Sequence, residues 1–272
     1  MTASLKGYVA IVTGASRGIG KGVALGLGEA GCTVYVTGRT LRDGDSDRPG
    51  SIMATAEEVT RLGGLGIAIK CDHQVDAEVE AVFHRVHEKH GKLDVLINNA
   101  TSYTTPHGPP EDHPYWELPI EVWDEMHKVG LRSYYVASIF AARTMVSQRR
   151  GLIVNISSGG AAKYAGNVSY NVVKAGVDML TLASAEELRQ HNVAVVSFWP
   201  RFTKTEVVLA NPEIYPKWRK GWSTIFNGRV VAAVASDPKV MEKTGRALDI
   251  GALAEEYDLR DDDGRRPVPI GK

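Results

Sequence analysis

Tyr170 and Lys174 stand four positions apart, and two serines, Ser157 and Ser158, close an apolar run just upstream. On a helix, Tyr-x3-Lys puts both side chains on one face, within reach of one pocket. A free tyrosine, with a pKa of about 10, is a poor acid near neutral pH. A neighbouring ammonium favours the phenolate and moves the pair toward useful proton transfer. A serine hydroxyl at the end of the preceding strand then holds a carbonyl oxygen beside the phenol. The same spacing also describes an amphipathic helix carrying a snorkelling lysine, so the pair takes its meaning from the elements around it.

Those elements alternate. Tyr8–Val12 is a short apolar run rich in β-branched residues, read as a strand buried on both faces. It runs into Thr13-Gly14-Ala15-Ser16-Arg17-Gly18-Ile19-Gly20, and a helical pattern continues to a stop at Gly31. Strands are expected at 33–37, 66–71, 93–97 and 152–156, with helices over 54–62 and 77–89 between the early ones. This βαβαβαβ order predicts an α/β fold: a single doubly wound Rossmann-type domain over 1–272, with a parallel sheet of about seven strands and helices on both faces.

The 272 residues suffice for a sizeable core. With 32 basic against 32 acidic residues, no net charge points to nucleic acid or an anionic membrane. Cys32 and Cys71 form no metal or disulfide pattern, which suits a reducing cytosol. No apolar run reaches the roughly 18 residues of a membrane helix, and no signal-peptide layout opens the chain, so a cytoplasmic protein is expected. His84, His87 and His90 share a helix face among Arg85, Glu88 and Lys89, which reads as a solvated face; no metal site is expected.

Glycines between the first strand and helix let the backbone turn tightly and approach a phosphate, which the helix N-terminus then binds. The spacing is Gly-x3-Gly-x-Gly, so Gly14, Ser16, Gly18, Ile19 and Gly20 are candidate cofactor contacts. An acid at the end of the second strand would bond a ribose 2′-hydroxyl; here Arg39 stands there, with Arg17 in the first loop. Two guanidiniums at that corner favour NADP(H), with NAD(H) the alternative; each arginine by itself is also consistent with a solvated surface. Asp72, just past the third strand, accepts from an adenine amino group or caps the next helix.

Thr13-Gly14-x3-Gly18-Ile19-Gly20, Asn98-Asn99-Ala100, Ser158, Tyr170-x3-Lys174 and Pro200-x4-Thr205 occur in an order that resembles the short-chain dehydrogenase/reductase family, over about residues 5–250. The segments at Trp199-Pro200, 231–238 and 257–268 resemble one animal branch of that family. The resemblance implies a hydride-transferring oxidoreductase acting on a ketone or aldehyde and its alcohol. It assigns Tyr170 as proton donor or acceptor and Ser158 as partner of the substrate oxygen, with Ser157 the competing serine. Lys174 is implied to bind the nicotinamide ribose and tune Tyr170, Asn98 and Ala100 to line the adenosine side, and Thr205, after Pro200, to meet the carboxamide.

Two positions depart from the family pattern. Gly130 stands where many members place a fourth catalytic residue, an asparagine, and Arg201 follows Pro200 where glycine is usual. A large cation beside the nicotinamide narrows the substrate range unless it points outward. These departures sustain a second reading, a dinucleotide-binding sensor or scaffold with little turnover; an epimerase would need a longer substrate domain. The stretch 101–119 is expected to wall the pocket or form a surface insertion. Residues 206–227, with several aromatics, are expected to form an apolar lid or a packing segment. Such a lid suits a bulky, apolar carbonyl or alcohol. The tail over 251–272 is expected to lie on the surface, and the protein to be a homodimer or homotetramer.

Overall fold

The β-branched run at Val9–Val12 forms β1 with all four residues buried, because helices cover both faces of the strand. The structure, a computed structural model, describes residues 4–102 and 113–268. In chain order, β1 is followed by α1 (Gly18–Glu29), β2 (Thr33–Gly38), α2 (Ile52–Arg61), β3 (Leu65–Lys70), α3 (Asp76–His90) and β4 (Val95–Asn98). Then come α4 (Ile120–His127), α5 (Ser133–Gln148), β5 (Gly151–Ile156), α6 (Val168–Leu188) and β6 (Val193–Trp199). The chain closes with α7 (Glu206–Ala210), α8 (Thr224–Ser236), β7 (Ala247–Asp249) and α9 (Ile250–Glu256).

The described strands form one parallel, seven-stranded sheet in the order β3-β2-β1-β4-β5-β6-β7, a single doubly wound α/β domain as the alternation predicts. The order reverses between β1 and β4, where the crossovers leave a crevice outside the strands' carboxyl ends. Gly31 adopts φ 87°, ending α1 in the left-handed turn that glycine takes without a Cβ penalty. α1 also packs closely on α8: a Cβ on Gly26 would lie 2.2 Å from the Gly228 carbonyl carbon.

Phe226 and Asn227 are fully buried on α8, so the segment lying over the crevice ends sooner than the expected 206–227. Its base is pinned, with Lys204 N–H donating to Trp222 O at 2.8 Å and Trp222 N–H to Phe202 O at 3.0 Å. The C-terminal residues pack back onto their own chain. Asp261 is buried and accepts from Ser223 N–H at 2.8 Å and Ser223 Oγ at 2.6 Å. The Arg265 guanidinium stacks 4.9 Å from the Trp222 ring centre.

Candidate active site

Gly14 and Gly18, between β1 and α1, both have positive φ, at 63° and 61°. At Gly14 a Cβ would come within 2.7 Å of Ala100 Cα, so only glycine lets the β1 and β4 loops close together. Thr13 and Asn99 stitch those loops. Thr13 Oγ1 accepts from the N–H groups of Asn99 and Ala100 at 2.9 and 3.0 Å. Asn99 Nδ2 donates to the carbonyls of Thr13 and Gly14 at 2.9 and 3.0 Å. Asn98 turns the other way: it is fully buried and donates to Asn155 Oδ1 at 2.8 Å and Ser138 Oγ at 3.0 Å. Successive residues of a strand face opposite sides, so Asn99 lines the crevice and Asn98 braces the sheet, a correction to the sequence expectation.

Three arginines from separate segments converge at the β2 end. Arg17 reaches across to the loop after β2, donating from Nε to Pro49 O at 2.8 Å and from Nη2 to Gly50 O at 2.9 Å and Arg48 O at 3.1 Å. Burial, then the charge of Arg48 and that of Arg39, depress the Arg17 guanidinium, while Glu206 opposes them. Arg39 is exposed, with Nη2 3.5 Å from Ser102 Oγ, and that hydroxyl donates in turn to Glu125 Oε1. Like charges gathered this closely favour an anion at the corner. Asp72 also lines the crevice, but its Oδ1 accepts from Gln74 N–H at 3.0 Å in the turn before α3, whose N-cap is Val75.

Beneath that corner His73 is buried, its Nε2 2.9 Å from Thr37 Oγ1. Thr37 donates its one hydroxyl proton to Val12 O at 3.2 Å, so it accepts from a His73 Nε2–H. Burial lowers His73 to about 4, leaving it neutral at physiological pH. Burial also pushes Cys32 and Cys71 up to about 12, so neither is a ready thiolate.

The opposite end of the crevice holds the serine–tyrosine pair. Ser158 lines it, and its Oγ accepts from Gly160 N–H at 3.0 Å. A Cβ on Gly160 would meet Ser158 Oγ at 3.0 Å and Tyr170 Cε1 at 2.9 Å, so hydroxyl and phenol ring flank one point. Ser157 is buried beneath, donating to Lys174 O at 3.2 Å. Asn167 caps α6 by accepting from Tyr170 N–H at 3.2 Å, which fixes the first turn that carries the tyrosine. Asn171 donates to Gly160 O and Lys163 O, at 2.5 and 2.7 Å, and so ties the serine loop to α6.

Lys174 does not line the crevice. It is buried behind the tyrosine, its Nζ 5.7 Å from the Tyr170 ring centre and donating to Ile156 O at 2.9 Å. Burial lowers it to about 8, against a smaller opposing pull from Asp178.

Pro200 is buried and stands back from the crevice, whereas Thr205 lines it and caps α7 by accepting from Val208 N–H at 3.4 Å. Arg201 takes a left-handed backbone, φ 57°, the conformation that explains the glycine usual at this position. Arg201 lines the crevice, but its guanidinium is tied to other residues of the chain. Nε and Nη2 bond both oxygens of Asp249 at 2.7 and 2.5 Å, and Nη1 donates to Val268 O at 2.6 Å. Gly130 lies in a π-helical turn over Lys128–Arg132, between α4 and α5.

The crevice encloses about 1230 Å³. Of the residues the sequence singles out, it brings together Gly14, Ser16, Arg17, Gly18, Ile19, Gly20, Arg39, Asp72, Ala100, Ser158, Tyr170, Arg201 and Thr205. It adds Arg48, His73, Asn99 and Glu206, which sequence reading missed. Phe202, Val207, Val208 and Tyr215 give the crevice an apolar wall. Of the stretch 101–119, Thr101 and Ser102 line the crevice; residues 103–112 lie outside the described part. Among the described residues no His/Cys/Asp/Glu group could hold a metal ion, and no helix is long and apolar enough to cross a membrane.

Known proteins resemble this chain in sequence and fold. The sequence profile of the short chain dehydrogenase family matches residues 8–213. Dehydrogenase/reductase SDR family member 1 of Mus musculus is 40% identical over 278 residues, covering 97% of this chain and 86% of that protein. A 3-oxoacyl-(acyl-carrier-protein) reductase of Aquifex aeolicus is 31% identical over 223 residues, covering 81% of this chain and 84% of that one. Among solved structures, a metagenomic short-chain oxidoreductase in complex with NADP superposes with a TM-score of 0.72 at 29% identity, over 90% of this chain and 97% of that one. Sequence, sheet order and crevice therefore agree that this chain belongs to the short-chain dehydrogenase family and is an oxidoreductase acting on CH–OH groups.

Proposed function

We propose that the protein interconverts a ketone or aldehyde with its alcohol, using NADP(H) and Tyr170 as the acid/base. The observation that carries this reading is that Ser158 and Tyr170 flank one point of the crevice with Lys174 buried behind the ring. The crevice residues fit a dinucleotide. The Gly14 approach to Ala100 leaves bare backbone at the α1 N-terminus, and the arginine corner attracts a phosphate. Gly18–Gly20 would hold the diphosphate side, Thr205 the nicotinamide carboxamide, and Arg39 and Arg48 a 2′-phosphate. When bound, the nicotinamide supplies the hydride.

The chain's own residues do the rest. Gly160 N–H engages a lone pair of Ser158 Oγ, leaving the hydroxyl proton to donate to a carbonyl oxygen. Tyr170 donates the second hydrogen bond and then the proton, as negative charge develops on that oxygen. Lys174, protonated below about 8, favours the phenolate left behind. Phe202, Val207, Val208 and Tyr215 exclude water and suit a bulky, apolar substrate.

The sensor reading loses one of its two supports, since Arg201 is bound to Asp249. It keeps the other, Gly130 in place of asparagine. NADPH oxidation measured against a panel of ketones decides between them. Turnover that disappears in Tyr170→Phe while NADPH still binds is the expected result; NADPH binding without turnover in the parent protein would favour the sensor.

A further inference from the structure

α1 carries no acid in its first turn, and its N-cap, Arg17, makes no side-chain capping bond. A cation at the positive end of a helix is electrostatically misplaced. The deficit is met from far along the chain. Glu206, the first residue of α7, places Oε2 2.8 Å from Gly18 N, across 188 positions of sequence. Its neighbour Thr205 would touch a Cβ on Gly18 at 3.7 Å, so the start of α7 sits directly on the glycine turn. Glu206 lines the crevice, and its charge is felt at Arg17.

This N–H is a donor that a diphosphate at the α1 N-terminus would use. A carboxylate and a diphosphate cannot both hold it, and held close together they would repel. We propose that Glu206 is a built-in competitor for the diphosphate, so that dinucleotide binding is coupled to displacement of the Glu206 carboxylate from Gly18. The inference rests on the dinucleotide reading above. The fold provides for such a movement. Hydrogen bonds between 202–204 and Trp222 close the base of the loop, so the Glu206 side chain can leave Gly18 while the base stays fixed. The cost of breaking the Glu206 contact lowers the affinity for the anion and, reciprocally, a bound anion displaces the carboxylate.

The test is equilibrium titration of the full chain with NADPH and, separately, with ADP, which carries a diphosphate but no nicotinamide. Glu206→Gln keeps the size and loses the charge; it should bind both probes about two- to fivefold more tightly than the parent, the span expected for a charge at a helix end. Glu206→Ala is a second route to the same loss should the glutamine variant fold poorly. Glu213→Gln, at an exposed acid of the same loop, removes equal net charge and should change neither affinity.

Unchanged or weaker binding by both Glu206 variants, with the parent binding normally, would overturn the competition and leave the dinucleotide reading standing. Equal tightening in Glu213→Gln would overturn it too, as a general charge effect. Failure of parent and variants alike to bind either probe would strike down the dinucleotide reading itself, and this inference with it.

Discussion

Lys174 stands behind Tyr170, its ammonium 5.7 Å from the ring centre and anchored to Ile156 O at 2.9 Å. Keeping a lysine there costs the fold stability, because burial lowers its pKa from 10.5 to about 8. Between those values the unfolded chain binds more protons than the folded one, so the penalty is fully present below about 8, shrinks as pH rises and is gone above 10.5. Lys174→Met should therefore abolish turnover yet stabilise the fold at pH 7 by on the order of 2–3 kcal/mol. Urea unfolding at pH 7 and pH 10 checks it: the gap between variant and parent should shrink at the higher pH. A variant less stable than the parent at pH 7 would mean that the Ile156 bond outweighs the burial of the charge.

The two serines should separate cleanly. Ser158→Ala removes a donor to developing negative charge and should lower turnover roughly a hundredfold. Ser157→Ala removes a buried bond to the Lys174 carbonyl, so it should cost about 1 kcal/mol of stability and change turnover little. Steady-state rates and thermal melts of both variants test this, and a reversed order of the rates would place Ser157 at the substrate.

The arginines should fail in different ways. Arg39→Ala should weaken NADPH binding by roughly 1.5–3 kcal/mol and leave NADH nearly unchanged, as loss of one charged phosphate contact does. Arg17 is bound to three backbone carbonyls after β2, so Arg17→Ala should loosen that loop and weaken both cofactors. Calorimetric titration with each nucleotide distinguishes them; equal affinity of the parent for NADPH and NADH would remove the basis for the preference.

Supplying the asparagine missing at 130 should not help. A Cβ there would lie 3.1 Å from Val173 Cγ1 and 3.7 Å from Thr101 Oγ1, so Val173 must give by a few tenths of an ångström to admit it. Gly130→Asn should lower turnover or leave it unchanged, and should lower the melting temperature as overpacking does. A large gain in turnover would show that the natural chain is a weakened enzyme.

The sheet was legible because strands buried on both faces must be continuously apolar, as Val9–Val12 is, and because the glycine turn sits between a strand and a helix. The tyrosine and lysine follow from helix periodicity, whereas the choice of Ser158 over Ser157 rests on the family resemblance. Asn98 and Asn99 could not be told apart, since one step of register swaps the two faces of a strand. Arg201 and Glu206 stayed hidden for another reason. Their partners, Asp249 and Gly18, lie 48 and 188 positions away, and no local pattern encodes such a distance. Residues 206–227 read as one apolar segment because hydrophobicity does not reveal that Phe226 belongs to the core packed on α1.

The glycine contact between α1 and α8 has a consequence for how the protein is made. Gly22 and Gly26 meet Thr224 and Gly228 at backbone distance, so the helix that carries the glycine turn is clasped by residues about two hundred positions later in the chain. During synthesis β1 and α1 emerge first but cannot take their final packing until α8 has left the ribosome. The glycine turn is thus among the earliest parts of the chain to be made and among the last to be secured, and until then the apolar face of α1 is exposed to chaperones and to misassociation.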